Sequence, residues 1–205
     1  MSQIFNSHKI VPVVAISDAT KAEGLATALI SGGIPVAEIT LRTPTSLESL
    51  KIIAKNSNII VGAGSLRNAT DLSKAVDAGA QFAVSAGFSL SIAKEANQLD
   101  VPYFPGVATP TEILQALDAG LTTLKFFPAE ILGGVESLKA MSAPFPGISF
   151  MPTGGINLTN VKTYLGLSMV VAVGGSWMVS QKLVDSGDFI EIERLTKEAA
   201  EVLTK

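Results

Sequence analysis

An α/β fold, a single (β/α)8 TIM barrel over residues 1–205, is what this sequence predicts. Three observations lead there. Eight short apolar runs alternate with eight amphipathic stretches, Gly, Ser, Thr and Pro breaks separate them, and no linker, charge block or low-complexity segment divides the chain. Such alternation means parallel strands joined by right-handed crossovers. An open doubly wound sheet is the alternative architecture, but eight units in 205 residues without an insertion favour closure.

The elements follow in order. IVPVVAI (10–16) leads into the helical pattern KAEGLATALISGG (21–33), and VAEITL (36–41) into SLESLKIIAKN (46–56). IIVGAG (59–64) precedes ATDLSKAVDAG (69–79), and FAVSAG (82–87) precedes LSIAKEANQ (90–98). VPYFPGV (101–107) is followed by PTEILQALDAG (110–120), and TTLKFF (122–127) by VESLKAM (135–141). ISFMPT (148–153) comes before NLTNVKTYL (157–165), and MVVAVGG (169–175) before the closing DFIEIERLTKEAAEVL (188–203). Each apolar run is of strand length and bounded by breakers. Near-continuous apolar strands suit a sheet covered on both faces. Gly33, Gly79 and Gly120 read as glycines at helix C-termini.

Composition narrows the function. With 47% hydrophobic and only 16% charged residues, the chain can bury a large core. A net charge of −3 argues against a nucleic-acid partner, which normally meets a basic patch. No apolar run approaches the roughly 20 residues of a membrane span, and MSQIFNSHKI lacks a signal-peptide layout. Zero cysteines remove disulfides and thiolate metal sites. The single histidine, His8, is expected to be a solvated terminal residue, which leaves no His-based triad and no zinc ligand set. These facts fit a cytoplasmic enzyme; carboxylate-bound magnesium stays open in principle, though no clustered acidic motif points to it.

Barrel chemistry sits at the C-terminal ends of strands, so polar residues late in apolar runs carry weight. In AEITLRT, Glu38, Thr40 and Arg42 share one face by strand parity, and Ala37, Ile39 and Leu41 the other. The apolar set suits surrounding helices, which turns the polar set inward. One reading is a structural Glu38–Arg42 pair plugging the barrel, since buried charges need partners. The other is catalytic. In TTLKFFPAE, Lys125 shares a face with Thr123 and Phe127. It is either a lysine snorkelling to the strand end or a nucleophile. Apolar surroundings and a second cation, for which Arg42 is the candidate, favour the free amine that Schiff-base chemistry requires. Glycine pairs in PTGGI (152–156) and VGGSW (173–177) follow the seventh and eighth runs, where barrels commonly bind phosphate through backbone N–H groups.

Assembled, EITLRT (38–43), GAGS (62–65), KFFPAE (125–130), PTGGI (152–156) and GGSW (174–177) resemble the 2-keto-3-deoxy-6-phosphogluconate (KDPG) aldolase family, whose members often also cleave 4-hydroxy-2-oxoglutarate (KHG). The resemblance runs from about Val11 to the end. It implies that Lys125 is the Schiff-base lysine, Glu38 the general acid/base and Arg42 the holder of the pyruvate carboxylate. It places Ser65 where the family usually has Thr, with the hydroxyl retained. Gly154, Gly155, Gly175 and Ser176 would form the phosphate-binding loops with Thr153 beside them, and Phe127 would pack near the substrate. Ser85-Ala86-Gly87 departs from the family's SPG, which puts substrate breadth in question near the aldehyde half.

The reaction so implied is class I aldol cleavage of a phosphorylated 2-keto acid to pyruvate and glyceraldehyde 3-phosphate, without metal or organic cofactor. The resemblance also implies a homotrimer. Two alternatives stay open on the residues alone. One is a phosphosugar isomerase or epimerase using Glu38 as base and Lys125 as an electrostatic group. The other is a non-catalytic phosphate-binding protein on the same barrel. Preference among phosphogluconate, phosphogalactonate and hydroxyoxoglutarate substrates is open as well.

Overall fold

A computed structural model describes residues 3–203. Its strands are β1 (Ile10–Val14), β2 (Val36–Thr40), β3 (Ile60–Leu66), β4 (Ala83–Ser85), β5 (Tyr103–Phe104), β6 (Gly106–Val107), β7 (Thr123–Phe126), β8 (Ser149–Phe150) and β9 (Val173–Gly175). All pairings are parallel. A curled six-stranded sheet runs β5-β4-β3-β2-β1-β9, and a three-stranded sheet runs β6-β7-β8.

The architecture is therefore α/β with parallel strands, as expected, but the eight runs do not form one continuous ladder. Run 101–107 divides at Pro105 into β5, which ends the first sheet, and β6, which begins the second. Proline has no N–H to give a ladder. Its carbonyl still accepts from the Lys125 N–H at 2.8 Å, so contact with β7 begins at the break itself. At the other junction, runs 148–153 and 169–175 contract to two and three residues, and only the bridges Phe150–Val170 and Thr153–Gly174 join them. Pro152 and two left-handed glycines, Gly154 and Gly155, end regular pairing there.

The helices are α1 (Gln3–Ser7), α2 (Ala22–Ser31), α3 (Ser46–Ala54), α4 (Ala69–Asp77), α5 (Leu90–Gln98), α6 (Pro110–Asp118), α7 (Gly134–Ser142), α8 (Val161–Leu165), α9 (Gln181–Ser186) and α10 (Phe189–Glu201). Side-chain caps start several of them. Asn68 accepts from the Asp71 N–H at 2.8 Å before α4, and Thr109 from the Glu112 N–H at 3.3 Å before α6. Gly33, Gly79 and Gly120 follow α2, α4 and α6 with φ of 84°, 102° and 78°, the left-handed geometry that closes a helix. Helices flank the strands, and α10 packs on α2. Gly32 lets them meet, because a Cβ there would lie 2.4 Å from Thr196 Cβ.

Two short helices, α1 and α9, were not expected from periodicity. In α1, Phe5 is buried and its ring lies 4.6 Å from that of Phe104 in β5. His8 just beyond is half-buried rather than solvated, and burial holds its pKa below the ordinary value. Packing of the Phe5 ring draws this segment onto the sheet. No described helix is long and apolar enough to cross a membrane.

Candidate active site

Every residue of β2 is buried, Glu38 completely so. Parallel register sets Glu38 beside Gly62 and Thr40 beside Gly64 of β3. Gly64 leaves room for the carboxylate, since a Cβ there would stand 2.1 Å from Glu38 Oε1. Across the interior, β7 aligns Lys125 with Gly106 of β6. Lys125 is 4% exposed, and its Nζ donates to Glu38 Oε1 at 3.2 Å and Oε2 at 3.5 Å. The same Nζ lies 5.2 Å from the centroid of the Phe127 ring, within cation–π reach.

This geometry replaces two of the structural readings of the sequence. Lys125 does not snorkel to solvent, and the partner of Glu38 is Lys125 rather than Arg42. The side chain that bonds the lysine is thus that of Glu38, while Arg42, the candidate second cation, lines the same cavity and bonds Ser65. A carboxylate at this distance is placed to exchange a proton with the amine.

Arg42 stands at the mouth, just past β2, and its Nε donates to Ser65 Oγ at 2.9 Å. Ser65 has φ of 57°, a left-handed conformation uncommon outside glycine, at a register shift between β3 and β4. The turn carrying Arg42 is pinned from below. Thr43 and Thr45 both donate to the Ile16 carbonyl, the latter at 2.8 Å, and Ser46 Oγ donates to the Thr40 carbonyl at 2.9 Å.

Lys125, Arg42, Phe127 and Thr153 line one cavity of about 410 Å³ together with Gly154, Gly155, Gly175 and Ser176. Glu38 and Ser65 are not on its wall but each hydrogen-bonds a residue that is. Gly154 and Gly155 have φ of 100° and 80°. Their carbonyls are turned into the protein. That of Gly154 accepts from the Glu130 N–H at 3.1 Å, and that of Gly155 from the Asn157 and Asn160 side chains at 3.2 and 3.1 Å. The N–H groups of Gly154, Gly155 and Ile156 make no hydrogen bond among the described residues. Consecutive free N–H groups of this kind are anion-binding. Gly174 allows Thr153 to close in, for a Cβ there would meet Thr153 Oγ1 at 2.4 Å.

Thr40, Ser180 and Gln181 also line the cavity and received no role from the sequence. Thr40 was visible on the inward face, whereas Ser180 and Gln181 carry no motif. A 3-10 turn at Trp177–Val179 brings them back over the end of β9. Ala86 lies outside the cavity wall. Its carbonyl packs on Gly106, where a Cβ would come within 2.0 Å. Ser85 beneath it bonds the Tyr103 hydroxyl at 2.5 Å, and burial pushes that tyrosine up to about 12. Among the described residues, no group of three His, Cys, Asp or Glu side chains could hold a metal ion.

The family model for KDPG and KHG aldolase matches residues 1–195. The chain belongs to this family. Relatives agree along nearly the whole length. A 2-dehydro-3-deoxy-phosphogluconate aldolase of Dickeya dadantii is 43% identical over 96% of this chain and 93% of its own. A KHG/KDPG aldolase of Escherichia coli is 40% identical over 97% and 93%. Among solved structures, the KDPG aldolase of Legionella pneumophila, with pyruvate captured at low pH as a covalent carbinolamine intermediate, is 37% identical. It superposes with a TM-score of 0.92 over 96% of both chains. The 2-keto-3-deoxy-6-phosphogluconate aldolase of Zymomonas mobilis with 3-phosphoglycerate gives 0.91 at 40% identity, over 96% of this chain and 92% of that one.

Proposed function

We propose that this protein is a class I, Schiff-base aldolase. It cleaves 2-keto-3-deoxy-6-phosphogluconate to pyruvate and glyceraldehyde 3-phosphate, and 4-hydroxy-2-oxoglutarate to pyruvate and glyoxylate. The observation that carries this reading is the buried Lys125–Glu38 contact of 3.2 Å, with Lys125 opening on a cavity that ends in glycine loops. The amine of Lys125, its proton passed to Glu38, attacks the C2 ketone to give a carbinolamine. Glu38 returns that proton to the departing hydroxyl, and loss of water leaves a protonated imine, which serves as electron sink. Glu38, directly or through a water, takes the C4 hydroxyl proton as the C3–C4 bond breaks and the aldehyde departs. The enamine is protonated at C3, and hydrolysis of the resulting imine releases pyruvate and restores the lysine.

Arg42 and Ser65, already joined at 2.9 Å, hold the carboxylate and align the ketone with the amine. Phe127 supplies an apolar wall. Thr153, Gly154, Gly155, Gly175 and Ser176 receive the distal phosphate, whose binding orients the chemistry at the other end. No metal or organic cofactor takes part. The same reading includes closure of the two sheets into one eight-stranded barrel domain, with β5 and β6 as one interrupted strand and the Thr153–Gly174 bridge as the seam. It also includes a cytoplasmic homotrimer, by likeness to the family.

The experiment is covalent trapping. Pyruvate plus borohydride should add mass irreversibly to the peptide containing Lys125. Protein that stays unlabelled where a known class I aldolase is labelled would remove the imine, and an isomerase or epimerase on this barrel would stand in its place.

A further inference from the structure

Glu130 closes the KFFPAE segment, yet the proposed reaction gives it no task. Its surroundings do. The N–H groups of Ala129 and Glu130 donate to the carbonyls of Thr153 and Gly154 at 2.8 and 3.1 Å, so residues 129–130 run alongside the glycine loop. The Glu130 side chain lies directly behind Gly155, where a Cβ would meet Glu130 Cγ at 2.5 Å. Its carboxylate accepts a short hydrogen bond from the hydroxyl of Tyr164, a fully buried residue of α8. Burial and the adjoining carboxylate together raise the tyrosine's pKa, which keeps it the donor.

α8 and its cap hold this loop from two points. Asn160, the residue before α8, gives its side-chain N–H to the Gly155 carbonyl at 3.1 Å. Tyr164 lies four residues on, one helical turn away on the same side, and holds Glu130. Both points matter because Gly154 and Gly155 have no Cβ to restrict them. Without these ties the loop would populate many conformations, and a phosphate would have to order it on binding.

We propose that Glu130, held by Tyr164, is a positioning residue that fixes the Gly154–Gly155 loop and thereby sets the preference for phosphorylated over unphosphorylated keto acids. This deepens the aldolase reading and rests on it. The test compares two substrates in Tyr164→Phe and Glu130→Ala. For the phosphorylated hexonate, KM should rise about tenfold, the scale of one lost hydrogen bond to a charged group, with kcat nearly unchanged. For 4-hydroxy-2-oxoglutarate neither constant should move. Glu130→Gln, which still packs behind Gly155 and accepts from Tyr164, should return KM to near the parent value.

An equal rise for both substrates, a matched fall in kcat, or no change at all would overturn the assignment. Should Glu130→Ala fail to fold, Tyr164→Phe decides alone, since it removes a single oxygen. Borohydride labelling with pyruvate is run on every protein. An unlabelled parent strikes the aldolase reading itself, whereas normal labelling with an unchanged substrate preference strikes only the role of Glu130.

Discussion

Glu38 and Lys125 stand 87 residues apart in sequence and 3.2 Å apart in space. Each makes the burial of the other tolerable, because an unpartnered charge in this interior would be destabilising by about 3–5 kcal/mol. Gly64 clears the space for the carboxylate. Glu38→Gln keeps the shape and an acceptor but cannot take a proton. We expect turnover to fall by about 100-fold or more, while pyruvate-dependent borohydride labelling of Lys125 is slowed but not abolished, because water can then take the lysine proton. Normal turnover in a folded variant would take Glu38 out of the mechanism. Both residues could be singled out beforehand, since a charge late in an apolar run is conspicuous. Their pairing could not, because strand parity gives a direction and not a partner.

At the scale of elements, helix starts and stops were the most legible features. Thr109, Pro110 and Glu112 show why. The Glu112 N–H donates to Thr109 Oγ1, and the Glu112 carboxylate accepts from the Ala108 N–H at 2.8 Å, so one otherwise orphaned donor in the first turn of α6 and one just before it are satisfied. Thr109→Ala should lower unfolding free energy by about 1 kcal/mol in urea titrations. Steady-state constants should not change, because α6 begins away from the cavity wall. A shift in kcat would link α6 to the site. Strand ends were less legible. Runs 148–153 and 169–175 contain enough apolar residues for full strands, but pairing is regular only over Ser149–Phe150 and Val173–Gly175, and Pro152 has no N–H to give the ladder between them. The short α9 and the Trp177–Val179 turn have too few residues for any period to register, so Ser180 and Gln181 arrived unannounced.

Over the whole molecule, α1 ties the start of the described chain to β5 through Phe5 and Phe104. That contact joins residues 99 positions apart and belongs to no local pattern. Phe5→Ala should destabilise the fold by about 3–5 kcal/mol, the usual cost of emptying a buried aromatic site, read as a lower urea midpoint with an unchanged slope. A change under 1 kcal/mol would mean that α1 is not part of the cooperative unit.

The features legible in the amino-acid order alone are local. Alternation of strand and helix, the terminal glycines Gly33, Gly79 and Gly120, the inward face of Glu38 and Arg42, and the family motifs all follow from spacing and residue type over a few positions. What meets across the interior is set by the packing of the folded chain. It paired Glu38 with Lys125, left Arg42 to Ser65, drew His8 into partial burial, and set Tyr164 on Glu130 behind the glycine loop. It also divided the strands between two sheets at Pro105. The physical reason is the same in each case. Periodicity and propensity act within one element, whereas these contacts depend on the register and approach of elements far apart in the chain.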